Sequence, residues 1–175
     1  MLVFSLTALL LAQMAPSHGS GSSAAGGLTW TAPGGWTIAP ASPMRVATYR
    51  IPAAAGDAEG GEMAIFYFGE GQGGGVDANV ERWFSQLAPE PGRKKNEKKE
   101  TQVAGLKVTL VSAEGTYSSG MPGGPTTPKK GWALLGAIAE GPQGAVFFKL
   151  TGPKKTVSAA SKDFDGLVKS LKKVP

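Results

Sequence analysis

The 175-residue chain has no cysteine and one histidine, His18. Without cysteine there is no disulfide framework, no thiolate nucleophile and no lipoprotein anchor. His18 falls in an N-terminal leader or tether, so the domain behind it lacks the usual general base near neutral pH. With no thiolate either, it lacks the usual zinc ligands. No G-x-S-x-G elbow, G-x-x-x-x-G-K-[ST] loop or oxygen-rich EF-hand loop occurs. Paired carboxylates can act alone, as in glycosidases, but Asp57, Glu59, Glu62, Glu70, Asp77, Glu81 and Glu114 fall mostly in turns or on helix faces. These absences point away from an enzyme and from any metal or cofactor. A carboxylate-based hydrolase remains an alternative.

Long hydrophobic runs are also scarce. Met1–Ala15 is apolar but short for a bilayer span, and the small and polar residues Ser17–Gly27 follow it. It reads as a secretory signal and a flexible tether, although no Lys or Arg precedes the run. Ser23-Ala24-Ala25 and Ala15-Pro16-Ser17 are the alternative cleavage sites. The expected organisation is a signal and tether over 1–25 and one domain over 26–175. The protein is then exported, to the periplasm or the exterior, with no transmembrane segment after signal removal. The formal charge is a modest +5. The one dense basic patch, Arg93, Lys94, Lys95, Lys98 and Lys99, is diluted by Glu97 and Glu100 and has no interleaved aromatics. It reads as a solvated loop within Pro89–Glu100, not as a nucleic-acid contact.

Glycine (26) and proline (13) are plentiful and mark many turns. The chain is organised around Met63–Leu87. Met63–Phe68 is an unbroken apolar and aromatic run, expected as a strand covered on both faces. Gly69, Gly71, Gly73, Gly74 and Gly75 make a turn, and Asp77 favours the positive end of a following helix. Val76, Val80, Trp83, Phe84 and Leu87 form its apolar stripe, with Asn79 and Gln86 largely off it. Gly69–Gly74 matches G-x-G-x-x-G, but no strand ending in an acidic residue lies about 20 residues on, so a plain strand–helix turn is the better reading.

Elsewhere, Leu28–Thr31, Trp36–Ile38 and Met44–Ile51 are strand candidates. Trp30 and Trp36 are read as core anchors over an exposed ligand-binding pair. In Met44–Ile51, alternation places Arg45 and Tyr49 on one face and Thr48 and Arg50 on the other. Leu106–Tyr117 begins as a half-buried strand, with Leu106, Val108 and Leu110 opposite Lys107 and Thr109. Trp132–Glu140 and Ala145–Thr151 form a hairpin about Gly141–Gly144. A final helix is capped by Thr156 or Ser158 and carries Val157, Ala160, Phe164, Leu167, Val168 and Leu171 on its apolar stripe.

Several segments carry a resemblance: GLTWTAPGGW (Gly27–Trp36), SPMRVATYRIP (Ser42–Pro52), FGEGQGGGVDANVERW (Phe68–Trp83), GTYSSGMPGGP (Gly115–Pro125) and LLGAIAEGPQGAVFFKLTGPKKTV (Leu134–Val157). Together they resemble a family of uncharacterised exported bacterial proteins. Element order and the ending Phe147–Leu150, Phe164, Leu171 are similar to the PsbP-like superfamily, which includes the extrinsic subunit of photosystem II and a Ran-binding nuclear import factor. The resemblance implies an α+β fold: one domain, an α/β/α sandwich of a mostly antiparallel sheet flanked by two main helices. It also implies a non-enzymatic docking module, and it supplies no catalytic motif or ligand set.

The functional expectation is an exported binding or assembly module whose partner is a protein or envelope component. A small-ligand or carbohydrate-binding module using exposed Trp or Tyr is the alternative. The long aperiodic stretch Ser118–Gly131 is the candidate contact loop. Its residues Ser118, Ser119, Met121, Pro122, Pro125, Thr126, Thr127, Lys129 and Lys130 are the candidates, with the glycine loop Gly69–Gly75 as a possible second part.

Overall fold

The computed structural model describes residues 22–118 and 127–174. The expected signal and most of the tether, including His18, and loop residues Ser119, Met121, Pro122, Pro125 and Thr126 lie outside the described residues. The elements in chain order are β1 (Ser22–Ala25), β2 (Leu28–Thr31), β3 (Thr37–Ile38), β4 (Ala47–Ile51), β5 (Gly61–Tyr67), α1 (Val76–Ser85), β6 (Leu87–Ala88) and β7 (Glu97–Val103). They continue with β8 (Leu106–Tyr117), β9 (Lys129–Gly141), β10 (Gly144–Pro153), α2 (Lys154–Lys169) and β11 (Lys172–Lys173).

An eight-stranded sheet runs β3-β4-β5-β10-β9-β8-β6, with β7 also on β8, and a small sheet runs β1-β2-β11. Every ladder is antiparallel. One face of the large sheet is covered by α2 and the small sheet, the other by α1. This is the α+β sandwich that the resemblance implied.

The two faces follow from the alternation of side chains along each strand. On the α2 face, Tyr49, Met63, Ile65, Phe148 and Leu150 meet Trp30 and Leu28 of the small sheet and the whole predicted stripe of α2. Trp30 meets Phe148 edge-on at 5.2 Å, so it is a core anchor, as is the fully buried Trp36. On the α1 face, Val80, Trp83 and Leu87 close over Val111, Ala113, Leu134, Ile138 and Phe147.

Several elements differ from the sequence expectation. Ser22–Ala25, expected in the tether, pairs with β2 as a strand. Glu97–Val103, half of it expected as solvated loop, is an edge strand on β8. Its charged side chains stay exposed while its backbone is satisfied by β8, and charge on an edge discourages further pairing. The strand expected from Met44 begins at Ala47, because Met44 has a left-handed φ of 65° and breaks the alternation. Arg45 therefore reaches Thr48 and Glu62 on the α1 face, opposite Tyr49. Thr109 is fully buried, so β8 is covered on both faces there. Asn79 is buried too. Its amide nitrogen donates to the Gly73 and Gly75 carbonyls at 2.8 and 2.9 Å, which ties the glycine loop to α1.

Helix α2 starts at Lys154, so neither Thr156 nor Ser158 is its N-cap; Pro153 holds that position without a side-chain cap. Thr156 sits in the first turn, and Asp57 from the β4–β5 loop supplies the missing acceptor. Its carboxylate takes the Thr156 N–H at 2.9 Å and the Thr156 hydroxyl at 2.7 Å. A carboxylate there satisfies a helix donor that the chain leaves unpaired and complements the dipole. Asp57→Ala is expected to lower stability by about 1–2 kcal/mol, the usual worth of a lost cap. The shift of the urea midpoint measures it, and an unchanged midpoint refutes the capping role.

Candidate functional site

Helix α1 spans only ten residues and leaves the β4–β5 side of its face bare. There an open groove of about 690 Å³ runs over the sheet, lined among others by Arg45, Arg50, Glu62, Tyr117, Lys129 and Trp132. Its wall is built at a break in the β8–β9 ladder. The register shifts between Gly115 and Tyr117, and such a bulge re-aims a side chain. Tyr117 consequently stacks on Trp132, centroids 5.2 Å apart and planes within 7°. Lys129 Nζ lies over the Trp132 ring at 4.4 Å, and Lys149 Nζ lies over the Tyr117 ring at 5.4 Å. The order Lys129, Trp132, Tyr117, Lys149 is thus a ladder of cation, ring, ring, cation, with each contact attractive.

The carboxylates of the groove are already engaged. Glu62 pairs with Arg45 at 2.8 Å and Glu59 with Lys129 at 2.6 Å. Behind the wall, the Glu90 carboxylate accepts from the Thr116 hydroxyl at 2.5 Å and from the Gly131 N–H at 3.1 Å. These hydrogen bonds, the Thr116 one first, hold the Glu90 carboxyl below its ordinary value. Glu90 thereby ties β8 to β9 where the ladder breaks.

Lys149 stands behind the wall, against the Tyr117 ring, and lines a neighbouring cavity and not the groove itself. Its amine donates to Gln86 Oε1 and, at 3.3 Å, to the Tyr117 hydroxyl. Burial pulls it below the ordinary lysine value; the Tyr117 hydroxyl opposes this, and the nearby charges of Arg45 and Arg82 add to it. Periodicity places Gln86 off the apolar stripe without giving it a role, and it says nothing of Lys149. The one available signal was a lysine inside the apolar run Val146–Leu150.

Of the candidate contact residues, Thr127 and Lys129 line the groove. Lys129 and Lys130 belong to β9, not to a loop, because β9 continues its pairing with β8 as far as Tyr117. Lys130 is exposed there. The Ser118 N–H donates to the Gln86 carbonyl at 2.8 Å. Both described ends of the stretch 118–128 therefore sit beside the groove. The glycine loop does not join them. It packs at Gly144, on the hairpin turn, while Trp132 lies at the other end of β9, about 30 Å away at the usual rise per strand residue.

No protein-family model matches the chain. No curated protein matches it. Among solved structures it is similar to cyanobacterial PsbP (CyanoP) from Synechocystis sp. PCC 6803, with a TM-score of 0.51 and 13% identity over 85% of this chain and 87% of that one. It is also similar to a Pseudomonas aeruginosa protein of unknown function (TM-score 0.49, 15% identity, 80% of this chain and 98% of that one). A Bacteroides thetaiotaomicron protein scores 0.48 at 13% identity; 88% of this chain matches 48% of that one. The fold is PsbP-like. Among the described residues, no helix is long and apolar enough to cross a membrane.

Proposed function

We propose that the protein is an exported, non-enzymatic binding or assembly module that docks onto a protein or envelope component through the open groove on the α1 face. The observation that carries this reading is the stack of Trp132 and Tyr117 in the groove wall, with Lys129 over it from the groove and Lys149 behind it. It is an amphipathic surface already organised in the free protein, and aromatic anchors of this kind dominate binding energy at interfaces. Glu59 and Glu62 support the same reading, since each is already held in an ion pair, with Lys129 and Arg45. A carbohydrate platform is less well served. It needs an open ring face, and Trp132 and Tyr117 each have a cation over the ring. The docking role that the PsbP resemblance implies points the same way.

Trp132→Ala tests the proposal. In capture from envelope extract by the whole chain, affinity for the partner should fall by about 2 kcal/mol, some thirty-fold in Kd, with the far-ultraviolet spectrum unchanged. Undiminished capture by a folded Trp132→Ala protein overturns it.

A further inference from the structure

A second, smaller cavity of about 150 Å³ opens between α1 and the β5–β10 pair. Its apolar walls are Phe66, Phe68, Trp83 and Phe147, and its polar end is made by Lys149, Gln86, Arg82 and Asn79. We infer that this cavity binds a small aromatic monocarboxylate, with the ring among the phenyl side chains and the carboxylate on the Lys149 ammonium beside Arg82.

Size fits first. A cavity of about this volume accepts a benzene-sized body when its lining is apolar. The lining also has the right geometry for a ring. Phe66 and Phe68 are stacked, planes within 9°, and Phe68 meets Phe147 edge-on at 5.7 Å. Phe68 remains over a third exposed, so one wall of the cavity opens to solvent.

Charge decides the other end of the ligand. Lys149, Arg82 and Arg45 gather around it, with Arg45 over the Phe66 ring at 5.7 Å. Among the described residues, Glu62 is the one carboxylate ion-paired with any of these three, and Arg45 holds it. Among the described residues, no carboxylate pairs with Lys149; its partners are an amide oxygen and a phenol. A half-buried ammonium with only neutral partners is an incomplete ion site, and an incoming carboxylate completes it. Arg82 donates to Asn79 Oδ1, which fixes the side chain on the rim and leaves other N–H groups of its fork to share the anion. Burial has depressed the basicity of Lys149, and a bound anion would restore it.

The test uses the whole chain and two probes, phenylacetate and its uncharged isostere phenylacetamide, titrated by calorimetry. Saturable phenylacetate binding is expected, about tenfold tighter than phenylacetamide, as charge-assisted hydrogen bonds provide. Lys149→Met should abolish that preference, and Arg82→Gln, at an exposed position, should reduce it even if the first variant fails to fold. No saturable phenylacetate binding, equal binding of the two probes, or a preference unchanged in both variants overturns the inference. No protein partner enters the experiment, so its failure leaves the docking proposal standing.

Discussion

Replacing Trp83 by alanine is expected to destabilise the protein by about 3–5 kcal/mol, the cost of deleting a buried aromatic from a core that cannot collapse onto the gap. For a chain of this size that is a fall in Tm on the order of 10 °C. Trp83 is the main anchor of α1. It is 4% exposed and packs with Val80 and Leu87 onto Val111, Leu134, Ile138 and Phe147. The α1-face core is the smaller of the two, and α1 has no side-chain N-cap of its own, so little else holds the helix down. Thermal unfolding followed by circular dichroism measures the effect, and a loss below 1 kcal/mol contradicts the anchoring role.

Gly136→Ala is the second large effect and the more diagnostic one. Gly136 lies in mid-strand on β9, where glycine has no entropic merit. A Cβ there would fall 2.4 Å from Trp83 Cζ3 and 2.7 Å from Val111 Cγ2. The ring lies directly on the glycine, so the added methyl must lift α1 or push Trp83 out of its rotamer. Overpacking of this kind costs about 1–3 kcal/mol. Once Trp83 is alanine the ring no longer blocks the methyl, Val111 alone has to shift, and the methyl then fills part of the gap. The double variant should therefore be more stable than the sum of the single losses implies, by on the order of 1 kcal/mol or more. Strict additivity in urea unfolding would mean that the contact is not what makes Gly136 necessary.

How much of this was legible in the sequence depends on what each element needed. Strands buried on both faces and the two amphipathic helices declare themselves by apolar periodicity. Met63–Phe68, the β9–β10 hairpin and the α2 stripe all stood where periodicity placed them. Edge and short strands did not. Ser22–Ala25, Leu87–Ala88 and Lys172–Lys173 are held by backbone pairing with a neighbour, which leaves no mark on side-chain pattern. The centre of the fold was also displaced. Met63–Leu87 looked like the organising unit, but β10 is the middle strand, with β5 and β9 on either side. Sheet order is a long-range property, and local alternation says nothing of it.

The site divides the same way. Thr127 and Lys129 were reachable from the lack of periodicity that marks a loop. The stacking of Tyr117 on Trp132 arises from a register shift, and the setting of Lys149 from the closure of α1 over the sheet. Neither is written in any one stretch of chain. Asp57 shows the same limit: a cap supplied from a distant loop replaces the local one that the sequence suggested at Thr156 or Ser158.

The central claim is that the open groove, and no other face, receives the partner. The most direct test places a photoreactive benzoylphenylalanine at Thr127, on the groove, and in a second protein at Lys162, exposed on α2 across the sheet. After irradiation in envelope extract, one discrete adduct is expected from position 127 and none from 162. No adduct at 127, or equal adducts at both positions, would contradict the account.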